Sequence, residues 1–249
     1  MNILSMEDIS ISFGRLNALT SVSAEVMEGE TLAVIGPNGA GKTTFFNLIS
    51  GFFPPSAGNI VFRGSNITQL SPPDRVKAGI ARTFQTSQTF PEISVKENLR
   101  IAVLLALGLH RRLWLSHDAS EQVELNVHKL IDLGDLQNSS HRLVGELSLS
   151  DQRVTEIMMA VARNPDLLLL DEPTAGMAVA ETDLISDVIR RLRRETKITI
   201  MLIEHDMDIV FGLADRILVL VEGKVLALGS PDEISENSAV QAAYLGKES

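Results

Sequence analysis

The most constraining feature of the sequence is a glycine-rich run that follows a short apolar segment. Residues 36–43 read Gly-Pro-Asn-Gly-Ala-Gly-Lys-Thr, which satisfies the pattern G-x-x-x-x-G-K-[ST]. The apolar run at 31–35 is a predicted strand, and residues 42–50 have helical character. A strand, this loop and a helix, in that order, form the context in which the pattern binds phosphate groups.

The loop therefore predicts a nucleoside triphosphate site, and the alternative of a chance glycine-rich turn is disfavoured because the complete motif stands in the right context. Glycines let backbone N–H groups turn toward a phosphate, and the positive end of the helix dipole adds attraction. Lys42 is predicted to bridge the β- and γ-phosphates, and Thr43 to give its hydroxyl to Mg²⁺. The residues assigned to the nucleotide here are Gly36, Pro37, Asn38, Gly39, Ala40, Gly41, Lys42, Thr43 and Thr44.

A second candidate site follows the apolar segment 166–170, which ends in the carboxylate pair Asp171 and Glu172. The carboxyl end of such a strand is the edge where an open α/β sheet places ligands. Asp171 is predicted to hold Mg²⁺ directly or through water, and Glu172 to orient and polarise the attacking water. Capping of the next helix is the alternative role for this pair, and the upstream phosphate loop makes it the less favoured one.

The order of segments indicates an α/β fold. Strand-type segments occur at 31–35, 166–170, 198–203 and 216–220. Because helical patterns separate them, they predict a mostly parallel sheet covered on both faces. Residues 95–133 are predicted to be helical, with Gly134 as the C-cap, so that a helical insertion near 88–153 interrupts the core.

Composition excludes several classes of protein. The chain has no cysteine, which excludes disulfides and thiolate metal sites. A net charge of −10 gives no basic excess of the kind that duplex binding requires, so no nucleic-acid partner is expected. The longest apolar run, 101–109, is about half of the roughly 20 residues in a spanning helix. No transmembrane segment of its own is expected, and action at a membrane would go through partners.

Five motifs in a fixed order carry a resemblance to a known family. They are GPNGAGKTT, Gln85 within RTFQ, LSLSDQR at 147–153, LLLLDEPTAG at 167–176 and EHD at 204–206. Together they resemble the ATP-binding cassette (ABC) family over essentially the whole chain. The resemblance implies a P-loop NTPase core with a mostly parallel sheet, an antiparallel β subdomain and an inserted helical subdomain. Within a single domain, 1–249, it implies a catalytic core with β subdomain at 1–87 and 154–230, a helical subdomain at 88–153 and a C-terminal extension at 231–249.

The resemblance also implies roles for individual residues. Gln85 matches the glutamine that senses Mg²⁺ and the attacking water, and His205 matches the switch histidine that contacts the γ-phosphate. The expected catalytic residues are then Glu172 and His205. Phe13 occupies the place of the aromatic residue that stacks on adenine.

The signature segment reads Leu147-Ser148-Leu149-Ser150-Asp151, whereas the family ideal is Leu-Ser-Gly-Gly-Gln. Ser148 is expected to bind the γ-phosphate of ATP held by the other subunit, and Ser150 to compensate partly as a hydroxyl donor for a missing glycine. Ser148 with Asp151 also fits a capping box, and both roles can hold together. Ala178 is a second departure, because an acidic or amide residue usually stands there.

Several segments resemble the ATPases of branched-chain amino acid importers, namely FGRLNAL at 13–19, GIARTFQ at 79–85, FPEISVKENL at 90–99, IEHDMDIV at 203–210 and AYLG at 243–246. The implied function is an ATP-hydrolysing subunit that uses ATP and Mg²⁺. Its implied partners are membrane permease subunits and a second ATPase subunit, identical or homologous, at the cytoplasmic face of the cell membrane. Urea or short-chain amide import stays open as an alternative.

Two other classes are disfavoured. A non-transport ABC ATPase acting on nucleic acid or ribosomes typically has a tandem cassette or a long coiled coil, and this chain has one cassette without a long heptad run. A P-loop phosphotransferase would not explain Gln85, Ser148 and His205 together.

The departures in the signature segment predict nucleotide binding of normal strength with a looser ATP-bound dimer or slower turnover. The double change Ser150→Gly with Asp151→Gln is therefore expected to raise ATPase activity. Glycine would allow closer approach of the phosphate, and loss of the carboxylate would remove a charge that opposes it. Steady-state phosphate release measures the effect, with nucleotide affinity as the control, and an unchanged rate rejects the hypothesis.

Overall fold

The computed structural model of the chain describes residues 1–83, 88–112 and 114–245. The strands are β1 (Asn2–Phe13), β2 (Leu16–Met27), β3 (Thr31–Ile35), β4 (Ala57–Phe62), β5 (Ser65–Asn66), β6 (Ile80–Arg82), β7 (Leu167–Asp171), β8 (Thr199–Ile203), β9 (Arg216–Val221) and β10 (Lys224–Gly229). The α-helices are α1 (Lys42–Ile49), α2 (Pro72–Ala78), α3 (Val95–Ala106), α4 (His117–Gly134), α5 (Leu149–Val161), α6 (Val179–Thr196), α7 (Met207–Leu213), α8 (Pro231–Ser235) and α9 (Ser238–Leu245). Across these described ranges, no helix is both long enough and apolar enough to cross a membrane.

The larger sheet has six strands in the order β10-β9-β3-β8-β7-β6, and only the β9–β10 pair is antiparallel. Every residue of β3, β7 and β8 is buried, as expected for strands covered on both faces. Alternate residues of β7 point to opposite layers: Leu167 and Leu169 join one apolar cluster, and Leu168 and Leu170 join another. The predicted mostly parallel sheet is confirmed.

The smaller sheet is antiparallel, with the order β2-β1-β4-β5. Its long strands β1 and β2 carry a largely alternating pattern of buried and exposed residues, which leaves one face for the core. That face packs on α1, whose Phe45 and Phe46 are fully buried in the same cluster as Ile9 and Val22. The antiparallel layer that the family resemblance implied is therefore present, beside the helix that follows the phosphate loop.

The helical insertion consists of α3, α4 and α5, which share one apolar cluster with α6 and one face of the larger sheet. Helix α5 runs without a break across residues 153 and 154, the expected limit of the helical subdomain. The prediction of Gly134 as a C-cap is wrong by one position, because Gly134 is the last helical residue and Asp135 adopts the left-handed conformation at φ 58°. A Cβ at Gly134 would lie 2.9 Å from Met158 Cγ, so glycine there allows α4 to approach α5 closely.

A buried arginine stabilises the C-terminal end of α1. Arg75 is 1% exposed, and its guanidinium donates to the carbonyls of Leu48, Ile49 (2.7 Å), Thr68 (3.0 Å) and Leu70 (3.2 Å). Burial lowers the pKa of Arg75 to about 10, which leaves it a cation at neutral pH. Its charge at the end of α1 complements the helix dipole and satisfies carbonyls that the helix leaves unpaired.

We expect Arg75→Met to lower the free energy of unfolding by about 3 kcal/mol, because several buried carbonyls lose their donor. Urea denaturation followed by circular dichroism measures the change. Arg63→Met is the matched control, since Arg63 pairs with Asp166 at the surface with 60% of its side chain exposed, and its loss should cost no more than about 1 kcal/mol. Equal losses in the two variants would contradict the proposed capping.

Candidate functional site

The candidate site lies where three neighbouring parallel strands end. In the register of the larger sheet, Ile203 of β8 pairs with Val34 of β3 on one side and with Asp171 of β7 on the other. The segments that follow these strands therefore emerge at one edge, at nearly the same height. They are the phosphate loop after β3, the segment that begins with Glu172 after β7, where Asp171 is the last strand residue, and the segment that holds His205 after β8. This is the arrangement expected at the carboxyl edge of an open α/β sheet.

The backbone of the phosphate loop requires glycine at its two ends. Gly36 has φ +153°, and a Cβ there would lie 2.1 Å from the carbonyl oxygen of Leu220 in β9. Gly41 is the left-handed N-cap of α1 at φ 99°, and a Cβ would lie 2.7 Å from the carbonyl oxygen of Ala18. The glycines thus let the loop lie against β2 and β9 while α1 directs its N-terminus into the site.

Lys42 is the cation of this loop and is 7% exposed. Its Nζ donates to the carbonyl oxygens of Gly36 at 2.7 Å and Pro37 at 3.2 Å. Burial lowers the pKa of Lys42, and the negative charges of Glu172 and Asp171 act in the opposite direction and raise it. The amine therefore lies within electrostatic reach of both predicted carboxylates.

Most of the predicted site residues line one cleft of about 530 Å³. Those that the sequence analysis predicted are Phe13, Asn38, Gly39, Ala40, Gly41, Lys42, Thr43, Thr44, Glu172 and His205. The cleft also includes residues that the sequence analysis missed, namely Leu16, Asn17, Ala18, Glu222 and Gly223. They belong to β2 or to the β9–β10 turn, and Gly223 N–H donates to the carbonyl of Ala40 at 3.1 Å. The sequence alone does not connect these positions to the phosphate loop, since they reach it only through the pairing of distant strands.

The two predicted catalytic side chains meet at the mouth of the cleft. His205 Nε2 lies 3.0 Å from Glu172 Oε1, and the Glu172 N–H donates to the carbonyl of Ile203 at 2.9 Å. Glu172 adopts a left-handed backbone conformation at φ 49°, which is uncommon for a residue with a side chain. The geometry thus unites two residues that lie 33 positions apart in the sequence.

Asp171 makes a buried ion pair that the sequence analysis missed. Its Oδ2 accepts from Arg82 at 2.8 Å, and both side chains are 6% exposed. Arg82 also donates to Asn47 Oδ1 at 2.7 Å and to Ser50 Oγ at 2.8 Å, which links β6, β7 and α1. The one available signal was the position of Arg82 three residues before Gln85, in the segment GIARTFQ.

Ser148 is the N-cap of α5, and its Oγ accepts from the Asp151 N–H at 3.2 Å. In a capping box the Asp151 carboxylate would accept from the Ser148 N–H. Here it accepts instead from Ser139 Oγ at 2.5 Å. Ser150 is buried, with its Oγ 3.0 Å from Ser148 Oγ. Neither serine is among the described residues that line the cleft. Gln85, the remaining predicted site residue, lies outside the described residues.

Comparison with known proteins identifies the family of the chain. Residues 19–175 match the family model described as ABC transporter, and residues 224–249 match that of a branched-chain amino acid ATP-binding cassette transporter. The chain is 38% identical to the high-affinity branched-chain amino acid transport ATP-binding protein LivG of Escherichia coli (strain K12), over 98% of each chain. It is 37% identical to the protein BraF of Pseudomonas aeruginosa, which bears the same description, over 98% of each chain.

Solved structures give the same result. The ADP conformation of an ATP-binding cassette of an ABC transporter matches with a TM-score of 0.87 and 33% identity, over 99% of this chain and 100% of that one. A nucleotide-free ATP-binding cassette matches with a TM-score of 0.85 and 32% identity over the same shares. Together with a cleft lined by the phosphate loop, Glu172 and His205, these similarities have one explanation: the chain belongs to the ABC transporter family, among its nucleotide-binding ATPase subunits.

Proposed function

We propose that this chain hydrolyses ATP to drive an importer of branched-chain amino acids. The observation that carries the proposal is the 3.0 Å contact between Glu172 and His205 in the cleft that the phosphate loop lines. The choice of transported molecule is supported by the family match at residues 224–249 and by the transport functions of LivG and BraF.

In the proposed site, Thr43 and Asp171 would hold Mg²⁺, with Gln85 close to it as the family resemblance implies. The fit rests on chemistry: hydroxyl and carboxylate oxygens are the hard ligands that Mg²⁺ prefers, and the charge of Asp171 acts on Lys42 in the loop. When bound, Mg²⁺ would neutralise charge on the β- and γ-phosphates. Arg82 keeps the Asp171 carboxylate in one orientation through its contact with Oδ2.

The protein residues divide the work between binding and positioning. Backbone N–H groups of the loop and the Lys42 amine bind the phosphates, and the amine exchanges its two carbonyl contacts for phosphate oxygens. Glu172 accepts a hydrogen bond from the attacking water and orients it toward the γ-phosphorus. His205 contacts the Glu172 carboxylate through Nε2. When ATP is bound, the imidazole would share or redirect this N–H to donate to the γ-phosphate as charge moves onto the phosphate oxygens.

We further propose that the nucleotide lies between two subunits. Ser148 does not line the cleft of its own chain, and the family resemblance implies that its hydroxyl would reach the γ-phosphate of ATP bound by a second ATPase subunit. The neighbouring Ser150 hydroxyl can donate to Ser148 Oγ and free the Ser148 proton for the phosphate. Phe13 would stack on adenine, with its ring held edge-on by Phe53 at 5.4 Å between centroids.

The partners of the proposed assembly are membrane permease subunits, with this chain at the cytoplasmic face of the membrane. Residues 88–153 would form most of the helical subdomain, and α5 continues from it into residues 154–161. Residues 231–249 would form a C-terminal extension. Closure of two subunits around ATP would move the permease subunits, and hydrolysis would reopen the pair.

We expect Glu172→Gln to lower the rate of ATP hydrolysis by about 100-fold or more while ATP affinity stays within about twofold, because the amide no longer accepts a proton from water. Phosphate release and fluorescent-nucleotide titration measure the two quantities. Glu121→Gln, at an exposed position of α4, is the matched control and should change neither. Hydrolysis at the normal rate in Glu172→Gln would refute the assigned role.

The transport function predicts co-isolation of the chain with hydrophobic membrane subunits in mild detergent. Cells that carry the complete assembly should take up labelled leucine, and Glu172→Gln in this chain should abolish that uptake. Labelled urea is the comparison substrate. Uptake of urea in place of leucine would contradict the amino acid assignment, and co-isolation with ribosomes or RNA in place of membrane subunits would contradict transport itself.

A further inference from the structure

Glu204 is a buried carboxylate that the site described above leaves without a role. It follows β8 directly, precedes His205 and is 4% exposed. A carboxylate removed from water is costly unless hydrogen-bond donors surround it. Among the described residues Glu204 takes part in no salt bridge, so its burial depends on donors from the polypeptide itself.

The two oxygens of Glu204 hold two different segments. Oε1 accepts from the N–H of Thr174 at 3.0 Å and from its hydroxyl at 2.6 Å. Oε2 accepts from the N–H of His205 at 3.2 Å. Thr174 is itself buried and lies two residues after Glu172. One carboxylate therefore joins the turn after β7 to the segment after β8.

These contacts close a ring that contains the Glu172–His205 pair. The Glu172 N–H donates to the carbonyl of Ile203, and the Ala175 N–H donates to the carbonyl of Glu172 at 3.2 Å. Glu172 Oε1 meets His205 Nε2 on the cleft side of the ring, and Glu204 closes the buried side. If the turn after β7 moves relative to the segment after β8, the hydrogen bonds from Thr174 to Glu204 and from Glu172 to Ile203 must lengthen.

We propose that Glu204 is a positioning residue that holds the 172–175 turn and His205 together, so that Glu172 and His205 stay within hydrogen-bond reach. The inference rests on the proposed function, because the distance between Glu172 and His205 matters only if the two residues act together in ATP hydrolysis. A carboxylate suits the task because it only accepts hydrogen bonds, and all three groups that face it are donors. A glutamine of the same shape would turn its NH₂ group toward one of these donors.

The first test compares Glu204→Gln with the unaltered full-length chain. We expect kcat for ATP hydrolysis to fall about 30-fold, as when catalytic groups are misplaced by a fraction of an ångström, while ATP affinity stays within about twofold. In protein labelled with ¹⁵N-histidine, the His205 Nε2 resonance should lose the shift that its contact with Glu172 causes. An unchanged kcat and resonance would overturn the inference, as would an equal loss of ATP affinity.

Thr174→Val keeps the side-chain volume and removes only the hydroxyl donor, so the inference remains testable if Glu204→Gln does not fold. We expect about a fivefold lower kcat, with normal ATP affinity, and recovery of the rate in Thr174→Ser, which restores the hydroxyl. A normal rate in Thr174→Val, or no recovery in Thr174→Ser, would contradict the inference.

The outcome for Glu172→Gln separates this inference from the proposed function. If Glu172→Gln hydrolyses ATP normally, the proposed catalytic pair is wrong and Glu204 has no pair to position. If Glu172→Gln is inactive while Glu204→Gln and Thr174→Val are normal, the catalytic pair stands and only the role of Glu204 is refuted.

Discussion

The nucleotide site depends on the pairing of β8 between β3 and β7 in one parallel register. Backbone hydrogen bonds set Val34, Ile203 and Asp171 at one level, and burial on both faces prevents the strands from sliding. The phosphate loop, the carboxylate pair and His205 are each short extensions of these strands. A slip of one residue in any of them would turn its apolar set to the opposite layers and move its functional residue by more than 3 Å along the sheet.

Buried polar groups then set the fine geometry around this frame. Arg75 satisfies the carbonyls at the end of α1, Arg82 orients Asp171, and Glu204 joins the segments that carry Glu172 and His205. Each of these charges would be costly alone in the interior, and each has several hydrogen-bond partners. Arg82 and Glu204 thus fix segments that carry site residues, whereas Arg75 acts at the end of α1 opposite the phosphate loop.

The signature segment differs from the other predicted site segments, because Ser148 and Ser150 do not line the cleft of their own chain. Ser148 caps α5, Ser150 lies against it, and the Asp151 carboxylate is drawn to Ser139. The helix is therefore well capped in the single chain, whatever its signature segment later binds. The departures from the family pattern leave the capping of α5 intact.

Local order along the chain was sufficient to predict four strands of the larger sheet, the phosphate loop, the helix after it and the carboxylate pair. Each of these is written in consecutive residues whose apolar pattern or glycine content has one physical meaning. The resemblance gave Glu172 and His205 catalytic roles, and the structure adds that their side chains lie 3.0 Å apart. Arg82 as the partner of Asp171, and Gly134 as a contact point between helices instead of a cap, could not be read from the sequence. Both depend on which distant segments become neighbours. Adjacent strands of a parallel sheet are joined by long crossovers, so their neighbours are far apart in the sequence and only three-dimensional packing selects them.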